Sequence, residues 1–207
     1  CLKVPRCPAA GTVDAGFYIN TVPGLVPALQ ATSLEVCWNS SGLSVKTNAT
    51  DVNIFNTATR CQQGVFNTGD TLEVFLGPVL DATDDPVYYH EIDTGSSGAM
   101  WVGQAQHGMG RPDGANVSNC GVATPPPCES NNVAANCTGL AGYLGGALTS
   151  HVTIGDGWWA NDLVIPWSTF KQPFLDHTAS PPWKIWRANF YRYDYPFPKP
   201  DGDGYNS

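Results

Sequence analysis

Charge is scarce in this chain: only 14% of its 207 residues are Asp, Glu, Lys or Arg, against about a quarter in an average soluble domain. Positive charge is scarcer still, with 10 Lys and Arg against 18 Asp and Glu and a formal net charge of −8. Nucleic acids and anionic membranes are gripped by clustered basic side chains, so neither is expected as a partner. No apolar run approaches the roughly 18 residues that a bilayer crossing requires, and membrane insertion is not expected. The i, i+3, i+4, i+7 apolar spacing of an amphipathic helix is missing throughout. So are G-x-S-x-G, H-E-x-x-H, a P-loop and a strand-borne G-x-G-x-x-G. No catalytic constellation is marked, and the chain is expected not to be an enzyme.

What the chain does contain is short alternating apolar runs cut by Gly, Pro and Asn. LEVCW (34–38), LSVK (43–46), TLEVFL (71–76), VYYHEI (87–92), AMWVG (99–103), HVTI (151–154), DLVIPW (162–167) and WKIWRANFYRY (183–193) are the main ones. Period-2 alternation bounded by turn residues predicts half-buried strands. Seven or more of them in about 160 residues predict an all-β fold, an antiparallel sandwich or jelly roll. The 42% of apolar residues suffice for a core.

The seven cysteines stand at 1, 7, 37, 61, 120, 128 and 137. None is spaced C-x-x-C and no histidine pair lies near, which argues against zinc. Disulfides in an oxidising compartment fit better, with Cys7, Cys37, Cys61, Cys120, Cys128 and Cys137 as candidates and Cys1 as the odd one. Four N-x-[ST] sequons, at Asn39, Asn48, Asn116 and Asn136, agree with an extracellular, N-glycosylated protein.

The chain reads as a single domain over 1–207. Residues 1–33 form an extended N-terminal segment with one strand near Gly16–Asn20. Residues 104–148 form a long Cys/Pro/Gly-rich insertion, expected to be stapled by disulfides, since a structureless loop of that length is unusual. Residues 196–207 form a loop-like tail.

Five blocks carry a resemblance: LEVCWNSSGLSV, GDTLEVFLGP, VYYHEIDTGSSGAMW, GDGWWANDLVIPWSTF and WKIWRANFYRYDYP. In order and spacing they resemble the strands of family 9-type carbohydrate-binding modules, and together they cover about two thirds of the chain. The resemblance implies a β-sandwich, no catalysis and a glycan partner. It puts Glu73 on the carboxylate position of the sugar clamp and His90 on the polar position of the next strand. Phe66 stands where the first clamp aromatic belongs. Trp158 and Trp159 are further platform candidates; being adjacent, they face opposite sides of a strand, so one is buried. Trp101, at a hairpin end, is the next exposed aromatic. Trp38, Trp167, Trp183 and Trp186 alternate within strands and are expected in the core.

The family's last strand would lie beyond Ser207. That leaves a second reading, in which copies of the chain complete one another's sheets and build an extracellular filament or matrix.

Asp93-Thr94-Gly95-Ser96-Ser97 copies the active-site loop of pepsin-like aspartic proteases. Such chemistry needs a second carboxylate on a second lobe, and no other D-[TS]-G occurs, so Asp93 is expected not to be catalytic. On the closing strand, Arg187 and Asn189 share a face and Arg192 takes the other; an arginine there is expected to pair with a carboxylate such as Glu73 or Asp162. No metal site or cofactor is assigned. Calcium is the one cation considered, on the acidic loops of Asp81, Asp84, Asp85, Asp201 and Asp203.

Overall fold

Apolar residues at every second position give each strand one face to bury, and two sheets stacked on those faces satisfy all of them together. The computed structural model describes residues 4–7, 11–12, 27–59, 64–79, 88–106, 148–170 and 185–195, and structural statements below concern these. The strands are β1 (Gly11–Thr12), β2 (Thr32–Trp38), β3 (Gly42–Thr50), β4 (Thr71–Val79), β5 (Tyr88–Gly95), β6 (Met100–Gln106), β7 (Thr149–Gly155), β8 (Trp158–Pro166) and β9 (Ile185–Tyr193). Short 3-10 turns at Val65–Asn67 and Trp167–Phe170 complete the regular structure, and no α-helix occurs among the described residues. One sheet has the order β1-β2-β3-β8-β7 and the other β6-β5-β4-β9, with every strand pair antiparallel. This is the expected all-β antiparallel sandwich.

The inner faces meet in one apolar cluster. Leu34, Val36, Val45, Leu163 and Ile165 come from the first sheet, and Val74, Leu76, Ile92, Met100 and Val102 from the second. Each such side chain taken wholly out of water contributes about 1.5–3 kcal/mol. Trp167 and Trp186 pack against this cluster with ring centroids 6.1 Å apart, as expected of core tryptophans. Trp38 is half-buried, its indole N–H donating to the Val4 carbonyl and its ring lying under the Arg6 guanidinium; Trp183 lies outside the described residues. A smaller cluster joins Ala49, Leu72 and Trp159.

Turn chemistry sets the hairpins. Between β2 and β3 the Asn39 side-chain carbonyl accepts the backbone N–H groups of Ser41 (2.7 Å) and Gly42 (3.1 Å), an Asx-type closure. Between β7 and β8 the chain reverses at Asp156-Gly157, where Gly157 takes φ +73°, a conformation that favours glycine. Cys7 and Cys37 form a disulfide across 30 residues; in the chain-entropy account, closing such a loop is worth roughly 3–4 kcal/mol.

Several expectations shift at their edges. Of the insertion expected over 104–148, residues 104–106 belong to β6, which runs through Gln106, and Leu148 is buried in the core; residues 107–147 lie outside the described residues, as does the tail 196–207. The strand expected from Asp162 begins at Trp158, where the Gly157 turn ends. The expected strand near Gly16–Asn20, the cysteines other than 7 and 37, the sequons Asn116 and Asn136, and the acidic loops of Asp81, Asp84, Asp85, Asp201 and Asp203 lie outside the described residues.

Trp158 and Trp159 separate as their alternation requires. Trp159 is wholly buried, while Trp158 lies on the outer face of the first sheet and is 36% exposed. Trp159→Ala is expected to cost about 3–5 kcal/mol, the range for emptying a buried aromatic site. Trp158→Ala should cost a small fraction of that. Chemical denaturation of the two variants checks it; equal losses would contradict the placement.

Candidate functional site

The outer face of the four-stranded sheet follows from β4. Leu72, Val74 and Leu76 turn inward, so Thr71, Glu73 and Phe75 face the other way. Register extends the pattern to the neighbours. Glu73 stands opposite Asp93 and Phe75 opposite Glu91 on β5; Trp101 of β6 stands opposite Asp93. On β9, Tyr191 is opposite Glu73, Tyr193 opposite Thr71, Asn189 opposite Phe75 and Arg187 opposite Gly77. One face thus collects three carboxyl groups, a ring of aromatic side chains and the polar ends of Asn189 and Arg187.

One carboxylate oxygen from each of Glu73, Glu91 and Asp93 lies within 4.8 Å of the other two. Glu73 is 4% exposed and Asp93 wholly buried. Burial pushes the Glu73 carboxyl up to about 8; nearby Glu91 raises it as well, and a side-chain hydrogen bond from Tyr193 pulls it down. Asp93 is carried well above the ordinary range by burial first, then by Glu73 and Glu91. Burial also raises Glu91. Like charges this close cannot all ionise in a poorly hydrated site. Phe75 sits between Tyr191 (5.5 Å, edge-on) and Tyr89 (6.0 Å), and such aromatic walls keep the local dielectric low.

The residues singled out in the sequence do not converge. Glu73 is at the centre of this face. Phe66, in the 3-10 turn Val65–Asn67, borders it: its ring lies 6.3 Å from that of Tyr193, the residue bonded to Glu73. His90 does not belong to the site. It pairs with Leu76, so it faces the sandwich interior; it is 1% exposed, and burial lowers its pKa to about 4. His90 and Glu91 are adjacent in sequence, and in a strand a shift of one residue changes the face. Trp158 and Trp159 are on the first sheet, exposed and in the core respectively. Glu91, Asp93, Tyr191 and Tyr193 were missed by sequence reasoning as contributors. The parity of Tyr89, Glu91 and Asp93 in YYHEIDTG was a usable signal, but aligning it with Glu73 requires the register.

A second acidic group lies at the sandwich end: Asp51, Asp70 and Asp194 also bring carboxylate oxygens within 4.8 Å. Here the donors are supplied. Asp70 accepts the N–H groups of Phe55 (2.6 Å) and Tyr195 (2.9 Å); Asp51 accepts that of Asn53 (2.9 Å); Asp194 accepts the Gln30 amide (2.7 Å). The buried Arg192 guanidinium reaches Asp51 at 3.1 Å and Asp194 at 3.7 Å. Burial still raises Asp70 to about 7 against the pull of its two backbone bonds. The expected arginine–carboxylate pairing on β9 therefore exists with other partners. Arg192 shares the inner face with Leu72 and cannot reach Glu73, while Asp162 pairs at the surface with Lys46 (3.4 Å).

No protein-family model matches this chain, and no curated protein sequence matches it. Among solved structures, it is similar to the crystal structure of a Bacteroides uniformis protein provisionally named as carbohydrate-binding, with a TM-score of 0.51 at 13% sequence identity. The match covers 80% of this chain and 64% of that one, so the chain spans under two thirds of that protein. At such low identity the likeness concerns the fold.

His90 supplies a pH test of the face assignment. Its folded pKa of about 4 lies below its ordinary 6.5, so the native state binds fewer protons than the unfolded chain between those values. The stability that depends on a neutral His90 is complete above pH 6.5 and is lost as pH falls toward about 4. Wild type should therefore lose stability relative to His90→Leu across that interval in denaturant titrations. A stability difference independent of pH would mean that His90 is solvated.

Proposed function

We propose that this chain is a non-catalytic, extracellular carbohydrate-binding module that holds a glycan on the outer face of its four-stranded sheet. The observation that carries the reading is the gathering of Glu73, Glu91 and Asp93 among aromatic side chains on that face. Sugar hydroxyls donate well to carboxylates, and pyranose rings lie well against aromatic side chains; the two needs are met side by side here. In this reading Trp101, Tyr193 and Phe66 form the apolar platform, Glu73 and Glu91 accept hydroxyl donors, and the exposed Asn189 and Arg187 bond the rim of the sugar. The Bacteroides uniformis neighbour supports such a role through its fold and its name. The Cys7–Cys37 disulfide supports an oxidising compartment. Asn39 and Asn48 are exposed sequon positions where N-glycans would be accepted.

One observation favours a second reading. Carboxyl groups about 5–5.5 Å apart are what retaining glycoside hydrolysis uses, and the three here are comparably close. Release of reducing ends from the bound glycan would select hydrolysis over binding.

The binding reading is tested by glycan-array screening followed by calorimetry on chain secreted from a eukaryotic host, whose intact mass reads the sequons. Above about pH 8, where the Glu73 carboxyl is ionised, Glu73→Gln should weaken binding of the selected glycan about tenfold or more, the worth of a hydrogen bond to a charged group. Trp101→Ala should weaken it similarly, and Trp158→Ala should leave it unchanged. Binding that survives Glu73→Gln and disappears with Trp158→Ala would move the site to the other sheet.

A further inference from the structure

Of the two acidic groups, only one has its charge answered. Around Asp51, Asp70 and Asp194, backbone N–H groups, the Gln30 amide and the Arg192 guanidinium supply donors to every carboxylate. Around Glu73, Glu91 and Asp93 the supply among the described residues stops at the Tyr193 hydroxyl on Glu73. Asp93 is wholly buried, yet neither of its carboxylate oxygens accepts a hydrogen bond. Buried carboxylates without partners are rare, because each forfeits its hydration for nothing in return. An unanswered Asp93 beside two further carboxyl groups is a cluster of oxygen lone pairs that calls for a cation.

We propose that Glu73, Glu91 and Asp93 form the binding site of a divalent cation of calcium's class. The donor set is oxygen only, because alternation turns the one nearby imidazole, His90, to the opposite face. That set selects hard cations over zinc and softer metals. Tolerance of irregular geometry favours calcium within the class, since the three carboxylates come from two strands of one sheet. Two oxygens bound to one ion at about 2.4 Å can be at most about 4.8 Å apart, and calcium accepts irregular geometry. Magnesium, at about 2.0–2.1 Å, demands a tighter and nearly octahedral shell. One oxygen from each of the three carboxylates lies within 4.8 Å of the other two, close enough for a single ion to draw all three into its shell. A bound ion would give the orphaned oxygens of Asp93 a partner and bring three negative charges down to one. Calcium's remaining coordination positions would be filled by water or by hydroxyl oxygens of a ligand on this face.

The inference goes beyond glycan binding, and the two fail separately, because metal binding is measured with no glycan present. The full chain is stripped with chelator and titrated with calcium chloride by calorimetry. Terbium, a luminescent calcium substitute, is added in parallel and excited through tryptophan, with Trp101 standing directly across from Asp93. Wild type should take up one calcium per chain with a dissociation constant of about 10⁻⁴–10⁻³ M, as extracellular modules do, should melt at higher temperature with calcium, and should sensitise terbium. Asp93→Asn should weaken calcium tenfold or more and abolish the sensitised emission. In metal-free buffer it should melt at or above the wild-type temperature, since it removes a buried carboxyl whose oxygens have no hydrogen-bond partner. Asp162→Asn, which alters a carboxylate in an exposed pair with Lys46, should bind calcium as wild type does. Where Asp93→Asn fails to fold, Glu91→Gln carries the same test. Wild type that takes up no calcium at concentrations well above about 10⁻³ M, or Asp93→Asn and Glu91→Gln variants that bind it as wild type does, would overturn the assignment.

Discussion

The pleat of β4 is the constraint on which the rest depends. From Thr71 to Gly77 the strand is buried on both faces apart from Phe75, which is half-buried. Its inward residues, Leu72, Val74 and Leu76, belong to the apolar clusters, and that commits Glu73 and Phe75 to the outer face. A slip of one residue would put Glu73 into the core and Val74 outside, so the apolar side enforces the position of the carboxyl. Pairing on both sides then carries the choice outward, to Asp93 and Glu91 on β5 and to Tyr191 and Tyr193 on β9.

The sandwich buries carboxyl groups in two places and treats them differently. At its end, Arg192 crosses from β9 to Asp51, beyond the last residue of β3, and also bonds the Thr32 hydroxyl and the Thr50 carbonyl. That network joins the two sheets, and its acids meet donors. Removing one partner of such a pair leaves a buried charge that is costly, whereas the intact pair is close to neutral in stability. The group on the outer face adds nothing comparable to cohesion. Burial raises all three of its acids, and neighbouring carboxyls raise Glu73 and Asp93 further, so they weaken the fold. Groups kept at a cost to stability are characteristic of sites that do something.

Much of the architecture was legible in the alternation of the chain. Each of the eight apolar runs overlaps a strand among the described residues, because each has a core face that period-2 spacing exposes. The Trp158-Trp159 pair was legible for the same reason. The site was legible only in part. Glu73 could be placed through its strand motif, but His90 was put on the wrong face, since choosing between His90 and Glu91 requires knowing which residue of β5 sits opposite Leu76. The cross-strand meeting of Glu73 with Asp93 is set by pairing between segments some twenty residues apart in sequence. No local pattern encodes it. Arg192 was expected to find a carboxylate and does, yet its nearer partner, Asp51, comes from the end of a strand in the other sheet, a proximity that only the stacking of the two layers creates.

The central claim, that the register of β4 and β5 stacks carboxyl groups of like charge in one buried site, is tested most directly by a double-mutant cycle. Stabilities of wild type, Glu73→Gln, Asp93→Asn and the double variant are compared in metal-free buffer at mildly alkaline pH. Each single substitution relieves the same repulsion, so the double variant should gain less than the two singles together, by about 1 kcal/mol or more. Effects that add to within about 0.3–0.5 kcal/mol, as they do for separated sites, would contradict the claim.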